Sequence, residues 1–162
     1  MSQSSSSEEA CSSAAVLGSD VLMRRHLRAG WWGLAVFIAL GVALEALHAI
    51  KAPFYVDAGR ETVRLLLRLA HAHGTLVSLV NILYAVTLRV RPVSASRLAS
   101  ALLLASLVLL PWGFLLGSLG AQGGDPGYGI VLVPGGAVTL FAAAVVIGWR
   151  VSSVRNSAPP SA

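Results

Sequence analysis

The sequence predicts an all-α fold, an integral membrane bundle of four transmembrane helices with both termini cytoplasmic. Three observations predict it. Apolar residues make up 56% of the chain and charged residues only 12%, against about 25% charge in an ordinary soluble domain. The apolar residues gather into four long runs separated by short polar segments. Basic residues flank those runs unevenly, which sets a membrane orientation.

The elements follow in chain order. Residues 1–19 are Ser-rich and polar, too poor in apolar surface to offset ordering entropy, and are expected to form a disordered tail. Residues 20–150 are expected to form the transmembrane domain. Its first part, Asp20 to Arg28, reads as a short interfacial helix capped near Ser19 or Asp20. The four spans are expected at about 31–50, 65–88, 98–118 and 129–149. Each has about the 20 residues that cross the hydrocarbon core as a helix. Helix is the expected form despite internal Gly and Pro, because backbone groups in lipid must pair within the segment. Asp57 is placed to cap the second span. Residues 151–162 are expected to be a second disordered tail.

Arg24-Arg25 ahead of an apolar run invites a signal-peptide reading, and twin-Arg signals look loosely similar. The first run is longer than a signal h-region of about 7–15 residues, so it is read as a retained span. Orientation follows from Lys and Arg. Arg24, Arg25 and Arg28 precede span one, Arg89, Arg91 and Arg97 separate spans two and three, and Arg150 and Arg155 follow span four. The loop between spans three and four has no basic residue. These counts place both termini inside a multi-pass protein of the cell (inner) membrane. Trp31, Trp32 and Trp149 then mark the inner interface, and Phe54, Tyr55 and Tyr128 the outer one.

The net charge of +5 does not argue for nucleic acid, because the basic residues sit as flanks and form no basic face. The lone Cys11 excludes an intramolecular disulfide and a cysteine metal site. Neither a phosphate loop nor a nucleophile-elbow pattern occurs. Catalysis is open only through a bound cofactor.

One constellation carries chemistry. Ionisable groups inside a membrane helix cost about 2.5–3.5 kcal/mol each at mid-span on insertion scales. Here they cluster: Glu45 and His48 in span one, Arg68, His71 and His73 in span two. Counting 1.5 Å per residue, Glu45 lies about 7–8 Å and His48 about 3 Å inside the outer end of span one, His71 about 9 Å and His73 about 12 Å inside that of span two. The connecting hairpin is short, so all four are expected at one depth in the outer leaflet. Glu45 and His48 share a face, with Gly41 below them allowing close approach. Arg64, Arg68, His71, Thr75 and Ser78 form a polar stripe, whereas His73 stands about 200° from His71. Pro111 and Pro134, with nearby glycines, are expected to bend spans three and four at the same level.

Imidazole is the commonest protein metal ligand, and a carboxylate can orient it. Paired histidines also clamp haem iron. The expected cofactor-binding residues are His48, His71 and His73, and the expected metal ligands Glu45, His48, His71 and His73, for haem b or a transition metal. The Glu45-x-x-His48 spacing is half of a di-iron carboxylate motif, but that class needs a second motif and two more Glu. The run Ala70-His71-Ala72-His73-Gly74 is similar to the His-x-His helix of haem-copper oxidases and nitric oxide reductases, whose two histidines face different metal centres. The resemblance covers only this run, and the other ligand helices of that fold are absent. The alternative functions are a proton-coupled transporter or channel subunit, and a non-catalytic scaffold or assembly factor docking partners on the Gly113 and Gly117 faces. A structural alternative for the cluster is a buried polar network that fixes how spans one and two pack. The expected partners are the lipid bilayer and either further copies of the chain or other membrane proteins.

Overall fold

The computed structural model describes residues 2–92, 95–122 and 124–153, with side chains from residue 17 onward. It is all-helical: α1 (Ser2–Ala49), a one-turn α2 (Pro53–Val56), α3 (Glu61–Val90), α4 (Arg97–Leu119) and α5 (Leu132–Ser153). Short 3₁₀ turns, Ala58–Arg60 and Tyr128–Val131, lead into α3 and α5. Four stretches are long and apolar enough to cross a membrane: Leu17–Ala49, Ala58–Val90, Arg97–Leu119 and Tyr128–Ser153. The four expected spans fall on these helices, apart from Ile50 in the turn after α1.

α1 departs from expectation at its start. The segment 2–19, read as disordered, is helical backbone continuous with the span. Extending an existing helix fixes one residue per hydrogen bond gained, so polar Ser and Glu are carried along once the apolar part is nucleated. The interfacial segment 20–28 is likewise not a separate helix. Gly30 does not break α1, because its missing side chain makes room for α3: a Cβ there would lie 2.6 Å from Ile82 Cγ1. Ser19 is buried mid-helix and caps nothing. The expected C-terminal tail lies outside the described residues from 154 on.

α1 and α3 pack antiparallel through small-against-large pairs. Gly41 receives the ring of His71, Gly74 the ring of Phe37, and Gly33 the hydroxyl of Ser78. α3 is central, with α1 on one side and α4 on the other, and α5 packs on α4. One apolar core joins Tyr84, Leu88, Leu103 and Ala143, and a second, nearer the α1–α3 turn, joins Leu66, Ala70, Leu110 and Phe114. The outward faces of α1 and α5 expose Val36, Val42, Val138, Phe141 and Val145.

Caps and loops fix the ends. Asp57 accepts from the amide of Gly59 and so caps the turn into α3, as its position predicts. Arg64 Nη1 donates to the carbonyls of Tyr55 and Asp57 at 2.9 and 2.6 Å, tying α2 and the hairpin to α3. Ser96 caps α4 by accepting from Ala99 N. Thr62 Oγ1 donates to the carbonyl of Gly124 at 2.8 Å, which puts the α1–α3 and α4–α5 connections at one end of the bundle.

Two expectations about spans three and four change. Pro134 lies in the first turn of α5, where an N–H has no helical acceptor, so it is placed to start the helix. Gly113 and Gly117 do not form a free docking face. A Cβ on Gly113 would meet Val133 Cγ2 at 2.9 Å, and one on Gly117 would meet Ile130 N at 3.4 Å. The small residues serve packing within the chain.

Candidate functional site

Between α1 and α3, toward the end with the hairpin, lies a cleft of about 470 Å³. Its polar lining is Glu45, His48, Arg68 and His71, and its apolar lining includes Ile38, Val42 and Leu44. A second cleft of about 320 Å³ adjoins it, sharing His48 and Arg68 and adding Glu61 and Arg64. The two helices therefore bring together three of the four residues expected to form the site. Neither Pro111 nor Pro134 lines either cleft.

His71 is the most constrained member. Its Nδ1 donates to the backbone carbonyl of Phe37 at 2.6 Å. A carbonyl only accepts, so Nδ1 carries a proton, and in the neutral ring the lone pair is on Nε2. The ring lies over Gly41, where a Cβ would stand 2.6 Å from Nδ1 and 2.9 Å from Nε2. No side chain larger than glycine fits at 41 with the ring in this place. Glu45, His48 and Arg68 are exposed along the cleft. Among the described residues no ion pair or hydrogen bond joins these four side chains. They are not the buried, mutually satisfied network that is the structural alternative for the cluster.

His73 is separate. Its Nδ1 donates to the Leu69 carbonyl one turn back, at 2.9 Å, and its ring rests against Phe114 of α4 with centroids 4.9 Å apart. The two-residue spacing sends it to the far side of α3 from His71, as helical geometry requires. Among the described residues no three His, Cys, Asp or Glu stand together as a metal-holding group.

The sequence reading missed His26. It is fully buried toward the other end of the bundle, with Nδ1 2.7 Å from Asn81 Oδ1 and Nε2 2.8 Å from Ser100 Oγ. Asn81 gives its amide N–H to the Val77 carbonyl, so its oxygen accepts from His26 Nδ1–H, and Nε2 accepts from the Ser100 hydroxyl. Tyr84 packs edge-on at 4.8 Å and exchanges hydrogen bonds with the backbone of Ser96. This cluster joins α1, α3 and α4. Its members are too far apart in sequence for spacing to show it, and Arg24, Arg25 and Arg28 around His26 suggested an exposed segment.

No protein-family model, curated protein or solved structure matches the chain.

Proposed function

We propose that this is a multi-pass protein of the cell (inner) membrane, both termini cytoplasmic, whose α1–α3 cleft binds haem in a redox or respiratory accessory role. The observation that carries the reading is His71. A metal-ligating histidine characteristically gives its other ring N–H to a carbonyl or carboxylate, which fixes tautomer and orientation. His71 does this toward Phe37 and keeps its Nε2 lone pair for a ligand.

The donor set narrows the cofactor. A bare transition-metal ion needs three or four protein ligands, and no such group stands among the described residues. Haem iron is already held by its porphyrin and asks the protein for one or two axial side chains. His71 would hold the iron, and His48 in the same cleft is the residue that would assist it. His73, against Phe114, is not part of this assignment. Arg68 borders both clefts and its guanidinium suits a carboxylate. The cleft of about 470 Å³ falls in the range of about 300–1,000 Å³ usual for small-molecule sites. Bound haem would supply one-electron chemistry.

The test is an optical spectrum with metal analysis on protein extracted in mild detergent from haem-replete cells. The expected result is a haem absorption band with stoichiometric iron, lost in His71→Ala and kept in His73→Ala. Colourless, iron-free wild-type protein would overturn the reading.

A second reading rests on Glu45, which stands in the same cleft as His48 and has no ion-pair partner among the described residues. A carboxylate and an imidazole so placed suit proton handling in a transporter or channel subunit. Proton flux in liposomes, abolished by Glu45→Gln in metal-free protein, would favour it over haem binding.

A further inference from the structure

The outward face of α1 carries a second site, at the opposite end from the cleft. At about 100° per residue, Val21, Arg24, Arg25, Arg28, Trp31 and Trp32 fall on one side of the helix. His26, Gly30 and Gly33 fall on the other, against α3. Val21 and the three arginines line a surface recess of about 360 Å³. All three arginines are exposed. Among the described residues none of them makes an ion pair or a hydrogen bond, not even with Asp20, one turn from Arg24.

Depth identifies what they meet. Trp31 and Trp32 are 60% and 74% exposed, and exposed Trp at a span's end marks the membrane interface. Arg28 is about 4.5 Å and Arg24 about 10.5 Å further along the axis. That interval is the headgroup layer, about 5–8 Å deep on each side of the hydrocarbon, and long arginine stems reach within it. A second copy docked in parallel on this face would oppose arginine to arginine, so self-association is disfavoured there.

We propose that Arg24, Arg25 and Arg28 bind the headgroup phosphate of an anionic phospholipid, with its acyl chains lying along Trp31 and Trp32. The site is independent of the haem reading and of which side of the membrane the termini occupy. The recess supplies positive charge from three guanidinium groups and an apolar wall from Val21. A zwitterionic lipid brings its own ammonium to the same place and gains less.

The experiment is native mass spectrometry of the full chain released from micelles holding equal phosphatidylglycerol and phosphatidylcholine. Wild type is expected to retain phosphatidylglycerol preferentially, by roughly fivefold per contributing arginine. The Arg24→Gln, Arg28→Gln double variant is expected to lose most of that preference, and Arg60→Gln at the other end to keep it. Equal retention of the two lipids by wild type overturns the site. So does a preference undiminished in the double variant. Should that variant fold poorly, a photoreactive phosphatidylglycerol on wild type decides: cross-links in the peptide with Trp31 and Trp32 support the site, and cross-links confined elsewhere overturn it. Efficient disulfide dimers of Val21→Cys, in a Cys11→Ser background, would assign the face to a second copy and also overturn it.

Discussion

His26 and Asn81 meet at 2.7 Å where neither side chain has any exposed surface. This one hydrogen bond crosses from α1 to α3, and Ser100 on the other imidazole nitrogen extends it to α4. Three helices are thus registered by one ring. Because every polar group of the set has its partner, the arrangement stabilises the bundle instead of opening a site.

Removing that ring leaves Asn81 Oδ1 and the Ser100 hydroxyl buried without it. Each such orphan costs about 1–3 kcal/mol. His26→Ala is therefore expected to lower stability by about 2–6 kcal/mol on this account, read as a fall in thermal midpoint in detergent. Asn81→Ala added to it should cost less than its effect alone, because the partner is already gone. Strict additivity of the two changes would show that they do not interact.

How the cluster escaped the sequence, while the cleft did not, has a physical cause. Run length and hydropathy fixed the four helices, since a bilayer demands about 20 apolar residues whatever the tertiary contacts. The cleft was legible because a short hairpin forces antiparallel neighbours, so Glu45, His48 and His71 could be set at one depth by counting. Helical phase separated His73 from His71 in the same way. Which faces close on which neighbour is a tertiary outcome, and His26 depends on α1 touching α4 as well as α3. The continuity of α1 through Gly30 depends on Ile82 and Ser78 filling the space beside it, which no local propensity encodes.

Two adjacent glycines in α5 offer a sharp contrast. A Cβ on Gly136 would lie 2.7 Å from the backbone nitrogen of Leu110 and 2.9 Å from its Cα, whereas one on Gly135 meets nothing within 4 Å. Backbone cannot step aside as a side chain can. Gly136→Ala is expected to force α5 off α4 and destabilise by about 1–3 kcal/mol, the range for overpacking. Gly135→Ala should be neutral or stabilising by up to about 1 kcal/mol, from helix propensity alone. Paired thermal melts measure the difference, and equal effects would contradict the α4–α5 packing.

The hydrogen bond from Thr62 to Gly124 holds two connections at one end of the bundle. Both must face the same compartment. In a Cys11→Ser background, Gln122→Cys and Gly59→Cys are therefore expected to react alike with a membrane-impermeant thiol reagent applied outside intact cells. Ser153→Cys, at the end of α5, is expected to react only after permeabilisation, given the arginines that flank the spans there. Opposite labelling of positions 59 and 122 would refute the four-span arrangement.

The seat of His71 gives the most specific prediction for the cleft. A methyl group at position 41 would stand 2.6 Å from His71 Nδ1, well inside contact distance, so Gly41→Ala must move the ring. Moving it breaks the bond to the Phe37 carbonyl that fixes the tautomer. On the proposed haem reading, Gly41→Ala is then expected to reduce haem retention as His71→Ala does, although it leaves the imidazole in place. Loss of an orienting partner characteristically costs about 10–100-fold in metal affinity, so retention should fall by that order. Gly18→Ala, where a Cβ meets nothing within 4 Å, is the control for a generic glycine effect and should leave the spectrum unchanged. A haem spectrum in Gly41→Ala identical to wild type would mean that His71 does not hold the iron, whatever else binds in the cleft.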